Sequence, residues 1–369
     1  MANATGKAGR IVELKNVKIH VPRGFGPCQV HGTRGAAVHA TPATPSPFGT
    51  STGEVLSAPL AHLTRRSLIA AAAFAPLLGA ARAAASIEAQ LPLWPDNPPG
   101  GGGPGGEAIT DKKGAVSNIS RPSLTRVSPS QPNGAAVLIA AGGGYKRIEM
   151  AMEADPAAAW LAARGVTAFI LSYRLPGEGW TAGNACALQD AQRAIRLIRA
   201  NARSFGVDPQ KLGVLGFSAG GHLLGLASAW SDFASSPAID SVDEQSARPD
   251  ACALIYPVIT LEAPYDKTST RKVLVGQAPS AAQAREWSVQ THVRARCPDM
   301  FLAQAEDDPI SDPHNTLIMA QACRDAAVPV EMHRFANGAH GFGMGRPGTE
   351  SAQWPEQYAT WLRARKFLA

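Results

Sequence analysis

The pentapeptide Gly216-Phe217-Ser218-Ala219-Gly220 lies between an apolar run, Leu212-Gly213-Val214-Leu215, and Gly221-His222-Leu223-Leu224, which opens a predicted helix running to about Trp230. A serine between two small residues can occupy a sharp corner, because nothing at the flanking positions stops the backbone from closing. The local reading is therefore strand, tight turn, helix, with Ser218 at the apex. Such a turn needs a sheet whose strand ends are open on one side and whose faces are covered by helices.

The chain on both sides repeats that alternation. Short runs too apolar to alternate predict buried strands at residues 135–141, 166–171, 212–215, 251–256, 300–305 and 328–335. Helices are expected at 157–164, 187–202, 219–230, 317–326 and 356–365, and 123–127 can add a short strand. The clearest helix carries Leu188, Ala191, Ile195 and Ile198 on one stripe, with Gln192, Arg193 and Arg196 mainly off it. Apolar strands alternating with helices argue for an α/β fold with a mainly parallel central sheet covered on both faces. Segments 232–250 and 260–297 are weakly patterned and are expected to form a small lid.

Residues 86–134 read as a loop-rich lead-in, with Pro98-Pro99 and the glycines 100–103 excluding a helix or central strand, and residues 135–369 as the core. Upstream, Leu63-Thr64-Arg65-Arg66-Ser67-Leu68 precedes a short Ala-rich apolar run and small residues at Ala81, Ala83 and Ala85. Residues 64–85 thus read as an export signal resembling the twin-arginine type, and the protein is expected to be periplasmic or secreted. Residues 1–63 form a low-complexity extension expected to be disordered. The net charge of +6 misleads: nine of the 35 Lys and Arg but two of the 29 Asp and Glu lie in residues 1–83, leaving 26 basic against 27 acidic side chains beyond. The remainder has no electrostatic reason to bind nucleic acid, or a membrane once the signal is removed. None of the five cysteines makes a CxxC pair, so a metal knuckle is not expected, and buried free thiols are.

A serine hydroxyl is a weak nucleophile alone, so a base and an orienting acid must follow it. Among the histidines after Ser218, His340 sits in a glycine-rich loop, Asn337-Gly338-Ala339-His340-Gly341-Phe342-Gly343, just past the last predicted strand. His333 falls inside that strand and His222 on the helix behind the turn, where it is expected to pack. The acid is sought in Glu306-Asp307-Asp308-Pro309; Asp308 is selected because Pro309 fixes the turn there, with Asp307 and then Glu306 as rivals. Developing oxyanion charge would be met by the backbone N–H groups of Gly143, Gly144 and Ala219. No metal or cofactor is required.

Taken together, these motifs resemble the α/β-hydrolase esterases that include acetylxylan esterases and bifunctional acetylxylan/feruloyl esterases. Members show a Gly-Gly-Gly-Tyr loop, a Tyr-Arg-Leu, a Gly-Phe-Ser-Ala-Gly-Gly-His-Leu turn, an acidic turn and a Gly-His-Gly-Phe-Gly loop. Here these are Gly142-Gly143-Gly144-Tyr145, Tyr173-Arg174-Leu175, residues 216–223, residues 306–309 and residues 340–343. The likeness runs from about Pro92 to the end of the chain. Ala141 stands where the family often has Pro or His, and Ile310-Ser311-Asp312 replaces a usual apolar pair ending in Val-Pro. The resemblance implies an α/β-hydrolase fold with a small or minimal lid, and hydrolysis of acetyl or feruloyl esters on carbohydrate through an acyl-enzyme on Ser218. The substrate would be a small-molecule or oligosaccharide ester. The competing readings are a serine peptidase of prolyl-peptidase type and a non-catalytic binding protein on the same scaffold.

Overall fold

The computed structural model describes residues 19–20, 86–88 and 90–369, which belong to one compact unit. The strands in chain order are β1 (Ile19–His20), β2 (Ser86–Ile87), β3 (Leu91–Pro92), β4 (Ile109–Thr110), β5 (Val116–Ser117), β6 (Ser123–Ser128), β7 (Ala136–Ala140), β8 (Thr167–Ser172), β9 (Leu212–Phe217), β10 (Ala251–Ile255), β11 (Asp299–Ala305) and β12 (Val330–Phe335). Apart from the β4–β5 pair, they form one sheet in the order β1-β12-β11-β10-β9-β7-β8-β6-β2, with β3 also on β6. From β7 to β12 every pairing is parallel, whereas β6 runs antiparallel to β8. Strands β7, β9 and β10 are buried at every position, as their unalternating apolar sequences require.

The helices are α1 (Asp155–Ala162), α2 (Ala185–Ala200), α3 (Ala202–Phe205), α4 (Ser218–Ala229), α5 (Ser269–Val275), α6 (Ala281–Glu286), α7 (His314–Asp325) and α8 (Trp354–Ala364). On one face α1 and α8 meet, with Trp160 stacked on Tyr358 at 5.9 Å between ring centres. The other face carries α2, α4 and α7. Both covers are thus as expected, and the predicted elements recur within a few residues of their observed ends. No helix of the described residues is long and apolar enough to cross a membrane.

Two expectations change. Helix α2 does not leave its polar side to solvent: Gln192 and Arg193 are buried. Arg193 donates to both carboxylate oxygens of Asp240 at 2.7 Å, and Gln192 Nε2 donates to the carbonyls of Trp230 and Phe233. Segment 232–250 is therefore pinned along α2 by side chains that periodicity assigns to water, and it forms no lid. Within 1–63, Ile19–His20 lie beside β12, pairing Ile19 with Met332 and His20 with His333. The rest of that extension, residues 64–85 where an export signal is expected, and Cys28 lie outside the described residues; Cys186, Cys252, Cys297 and Cys323 are buried free thiols.

The Tyr-Arg-Leu after β8 has a structural explanation. Arg174 and Asp190 are both fully buried and joined by an ion pair of 2.9 Å. Asp190 also accepts from the backbone N–H of Arg174 and from Trp94 Nε1, each at 2.8 Å, while Arg174 donates to the carbonyls of Pro99 and Cys186. The pair thus ties the 90s loop, the end of β8 and α2 together. Arg174→Met should lower stability by about 3–5 kcal/mol, because it strands a buried carboxylate; a urea melt of wild type against variant checks this.

Candidate active site

Ser218 ends the run of β9 and starts α4 with φ at +49°. A left-handed backbone at a non-glycine residue costs about 1–3 kcal/mol and persists only where the surroundings impose it. Here they do. A Cβ on Gly220 would run into the carbonyl oxygens of Ala140 and Ala141, and one on Gly216 into the backbone of Gly220 and Gly221. The corner can close only without those side chains. Beyond the turn, the Val258 N–H donates to the Ser218 carbonyl at 3.2 Å, fixing the corner to the strand end next door.

Two loops from later strands converge on the serine. The loop after β12 places His340 Nε2 2.8 Å from Ser218 Oγ. The turn after β11 places Asp308 Oδ2 2.8 Å from His340 Nδ1. A carboxylate only accepts, so Nδ1 carries the proton and the Nε2 lone pair faces the serine hydroxyl. Asp308 has no exposed side-chain surface, yet both its oxygens are occupied. Oδ1 accepts from the N–H groups of Ile310 (2.8 Å) and Ser311 (2.9 Å), and Oδ2 also accepts from Gln304 Nε2 at 2.9 Å.

The neighbouring acids have other tasks. Asp307 accepts from the Ala339 N–H at 2.7 Å and so props the histidine loop, while Glu306 pairs with Arg334. The other candidate histidines stand elsewhere. His333 is paired with Glu331 at 2.8 Å, inside β12. His222 does more than pack: its ring bridges the Tyr145 hydroxyl at 3.0 Å and the Trp287 carbonyl at 2.8 Å, linking the glycine loop to the end of α6. Burial lowers its pKa to about 4, so it is a neutral connector at ordinary pH.

The glycine loop after β7 lies directly against the serine. A Cβ on Gly142 would stand 2.7 Å from Ser218 Cβ. At Gly143 φ is +117°, and a side chain there would strike the Arg147 carbonyl. The Gly142 N–H is taken by Glu153 Oε2 at 2.5 Å. Among the described residues nothing accepts from the N–H groups of Gly143 or Gly144. Ala219 lies in the first turn of α4, where N–H groups lack a partner within the helix. Among the described residues these three N–H groups, on the glycine loop that abuts Ser218 and on the residue after it, thus have no hydrogen-bond acceptor.

Sequence reasoning missed two residues. Glu153 lies in a short π-helical turn, Met150–Ala154, ahead of α1, and is buried against the glycine loop. Tyr256 follows β10 with φ at +38°; its hydroxyl donates to Glu153 Oε1 at 2.9 Å and accepts from the Gly343 N–H at 3.1 Å. The available signal was a lone acid in the otherwise uncharged run Met150-Ala151-Met152-Glu153-Ala154.

Residues 127–322, more than half of the chain, match the family model described as BD-FAE. The chain is similar to endo-1,4-beta-xylanase B of Butyrivibrio fibrisolvens, with 32% identity over 205 residues that cover 56% of this chain and 32% of that protein. It is also similar to acetylxylan esterase of Xylanibacter ruminicola, with 27% identity over 242 residues, 64% of this chain and 47% of that protein. The match therefore spans 32% and 47% of the length of these two curated relatives, less than half of each. Among solved structures it is similar to the acetyl ester-xyloside bifunctional hydrolase from Caldicellulosiruptor lactoaceticus, at 30% identity and a TM-score of 0.64, covering 76% of this chain and 97% of that one. The sheet order and helical covers are those of an α/β-hydrolase.

The two adjacent aspartates can be separated by experiment. With a fluorophosphonate probe, Asp308→Ala should slow labelling of Ser218 by roughly 10³–10⁴-fold, as loss of the orienting acid does in comparable sites. Asp307→Ala should slow it far less, since its contact is to backbone. Equal losses in the two variants would reverse the assignment.

Proposed function

Because this chain belongs to the BD-FAE family, we propose that it is a serine carboxylic-ester hydrolase that removes acetyl-type acyl groups from carbohydrate. The observation that carries the reading is the unbroken run of contacts from Ser218 Oγ to His340 Nε2 and from His340 Nδ1 to Asp308, 2.8 Å at each step.

His340 takes the Ser218 proton as Oγ attacks the ester carbonyl, and Asp308 holds the imidazolium that results. The oxyanion forms where the N–H groups of Gly143, Gly144 and Ala219 stand without competing acceptors; each such donor is worth roughly 10²–10³ in rate. Collapse of the tetrahedral intermediate expels the alcohol, which receives the proton from His340. Water then attacks the acyl-enzyme by the same route in reverse and frees the acid.

The names of the relatives, an acetylxylan esterase and an acetyl ester-xyloside hydrolase, support an acetylated xylan fragment as the substrate. A feruloyl ester is the alternative acyl group. The near-neutral charge beyond residue 83 suits a neutral sugar ester, and the paired arginines with the Ala-rich run support export to the periplasm or beyond.

An ester panel tests the reading: acetyl, longer acyl and feruloyl groups on simple alcohols and on xylo-oligosaccharides, with an aminoacyl-prolyl amide beside them. Acetylated xylo-oligosaccharides should be turned over fastest and the amide not at all. Ser218→Ala should cost about 10⁶ in kcat, the scale set by removing a serine nucleophile. Faster cleavage of the amide, or turnover that survives Ser218→Ala, would sink the proposal.

A further inference from the structure

The carboxyl of Glu153 lies behind the glycine loop, where none of the steps above uses it. Its Oε2 accepts from the Gly142 N–H at 2.5 Å, on the residue that abuts Ser218 and precedes two of the three oxyanion donors. Its Oε1 accepts from the Tyr256 hydroxyl at 2.9 Å, and that hydroxyl accepts from the Gly343 N–H at 3.1 Å, three residues past His340. The Tyr256 ring meets the His340 imidazole edge-on at 5.0 Å between centres. One carboxylate therefore joins the loop that would hold the oxyanion to the loop that carries the base, through a phenol packed against that base.

Resting on the esterase reading, we infer that Glu153 is a positioning residue: as a carboxylate it fixes the glycine loop and the histidine loop in one mutual geometry, and protonation loosens both together.

Counting donors and acceptors shows why protonation matters. The carboxylate accepts two hydrogen bonds, and Tyr256 donates one and accepts one, so every proton in the set has an acceptor. A proton on Oε2 would face the Gly142 N–H, donor against donor. A proton on Oε1 would donate to the Tyr256 oxygen and leave the phenol proton without its acceptor. Neither protonated form preserves the set. Burial, however, raises the Glu153 pKa to about 7, against the lowering effect of the Gly142 and Tyr256 bonds and of His340. The ionisable groups around it are Glu149 near its own turn, Tyr173 beyond β8, Tyr256 beyond β10, with Asp308 acting on Tyr256, and His340. Of these only His340, when protonated, is a cation. Imidazolium formed during catalysis would thus find a second anion nearby.

The sign follows directly. Above about pH 7 Glu153 is ionised and the two loops are held; as the pH falls through that value the clamp is lost. The acid limb of kcat/KM in wild type should therefore include a step near pH 7 that belongs to Glu153.

Glu153→Gln keeps the shape but removes the charge and one acceptor. It should lower kcat by roughly 10–100-fold, less than loss of an oxyanion donor outright, with KM little changed. Its acid limb should lose the step near pH 7, and its melting temperature should stay near that of wild type. Tyr256→Phe should reproduce the kcat loss, and the double variant should be little worse than either single one, because the two residues act as a unit. Should Glu153→Gln fail to fold, Tyr256→Phe carries the same test. Wild-type kcat with an unchanged acid limb in the folded variant, or fully additive losses in the double variant, would overturn the inference. Fluorophosphonate labelling of Ser218 provides a readout independent of the substrate. Slower labelling in the variants with no turnover of any ester by wild type would count against the esterase reading and leave the clamp standing.

Discussion

The backbone of Gly142 comes so close to Ser218 that a single methyl group on it would stand 2.7 Å from the serine Cβ. Strands β7 and β9 are neighbours in register, Ala140 beside Gly216, so the loop after one and the turn after the other must share the space above one strand end. Glycine and alanine at 140–144, 216, 219 and 220 make that sharing possible. The left-handed Ser218, about 1–3 kcal/mol of strain, is held by a parallel sheet whose central strands are fully buried. The placement of Ser218 and of the glycine loop is thus one steric solution and not two independent ones.

Charge is arranged around that corner by donor supply. A carboxylate taken fully out of water costs several kcal/mol, and a hydrogen bond to a charged group returns about 1.5–3 kcal/mol. Asp308 receives four donors, from Ile310, Ser311, Gln304 and His340, enough on that scale to offset its burial. Glu153, equally removed from solvent, receives only two, and its pKa rises to about 7. The number of N–H and O–H groups that the fold directs at a buried carboxyl thus differs between the two, and the sparsely served Glu153 is the one that titrates near neutral pH.

Much of this was legible in the sequence, because strands buried on both faces leave unbroken apolar runs and tight turns demand glycine. The positions of Ser218, His340 and the acidic turn relative to the predicted strands followed from that alone. Selecting Asp308 over Asp307 rested on Pro309, whereas the structure separates them by their partners: one carboxylate meets an imidazole, the other a backbone N–H. Less legible were polar groups buried by distant segments. Arg193 and Gln192 read as solvent-facing because helical periodicity knows nothing of the loop at 230–245 that covers them. Glu153 and the bridging role of His222 escaped for the same reason. Their partners lie 103 residues away at Tyr256, and 77 and 65 residues away at Tyr145 and Trp287, and no local pattern encodes such pairs.

The segment expected to act as a lid illustrates the same limit. Residues 260–297 do approach the site, since Ser269 at the start of α5 stands against Gly144. They are not hung on a hinge. Asn315 Oδ1 accepts from the N–H groups of Ile259 (2.8 Å) and Thr260 (3.0 Å), Ser288 bridges the Leu261 N–H and the Ala284 carbonyl, and His222 holds the Trp287 carbonyl. Opening this segment would strand several buried polar groups at about 1–3 kcal/mol each, a barrier to routine motion. It is better described as a fixed wall than a gate. On the proposed esterase reading, discrimination among acyl groups and alcohols would rest on the standing shape of that wall beside Gly144, without a closure step.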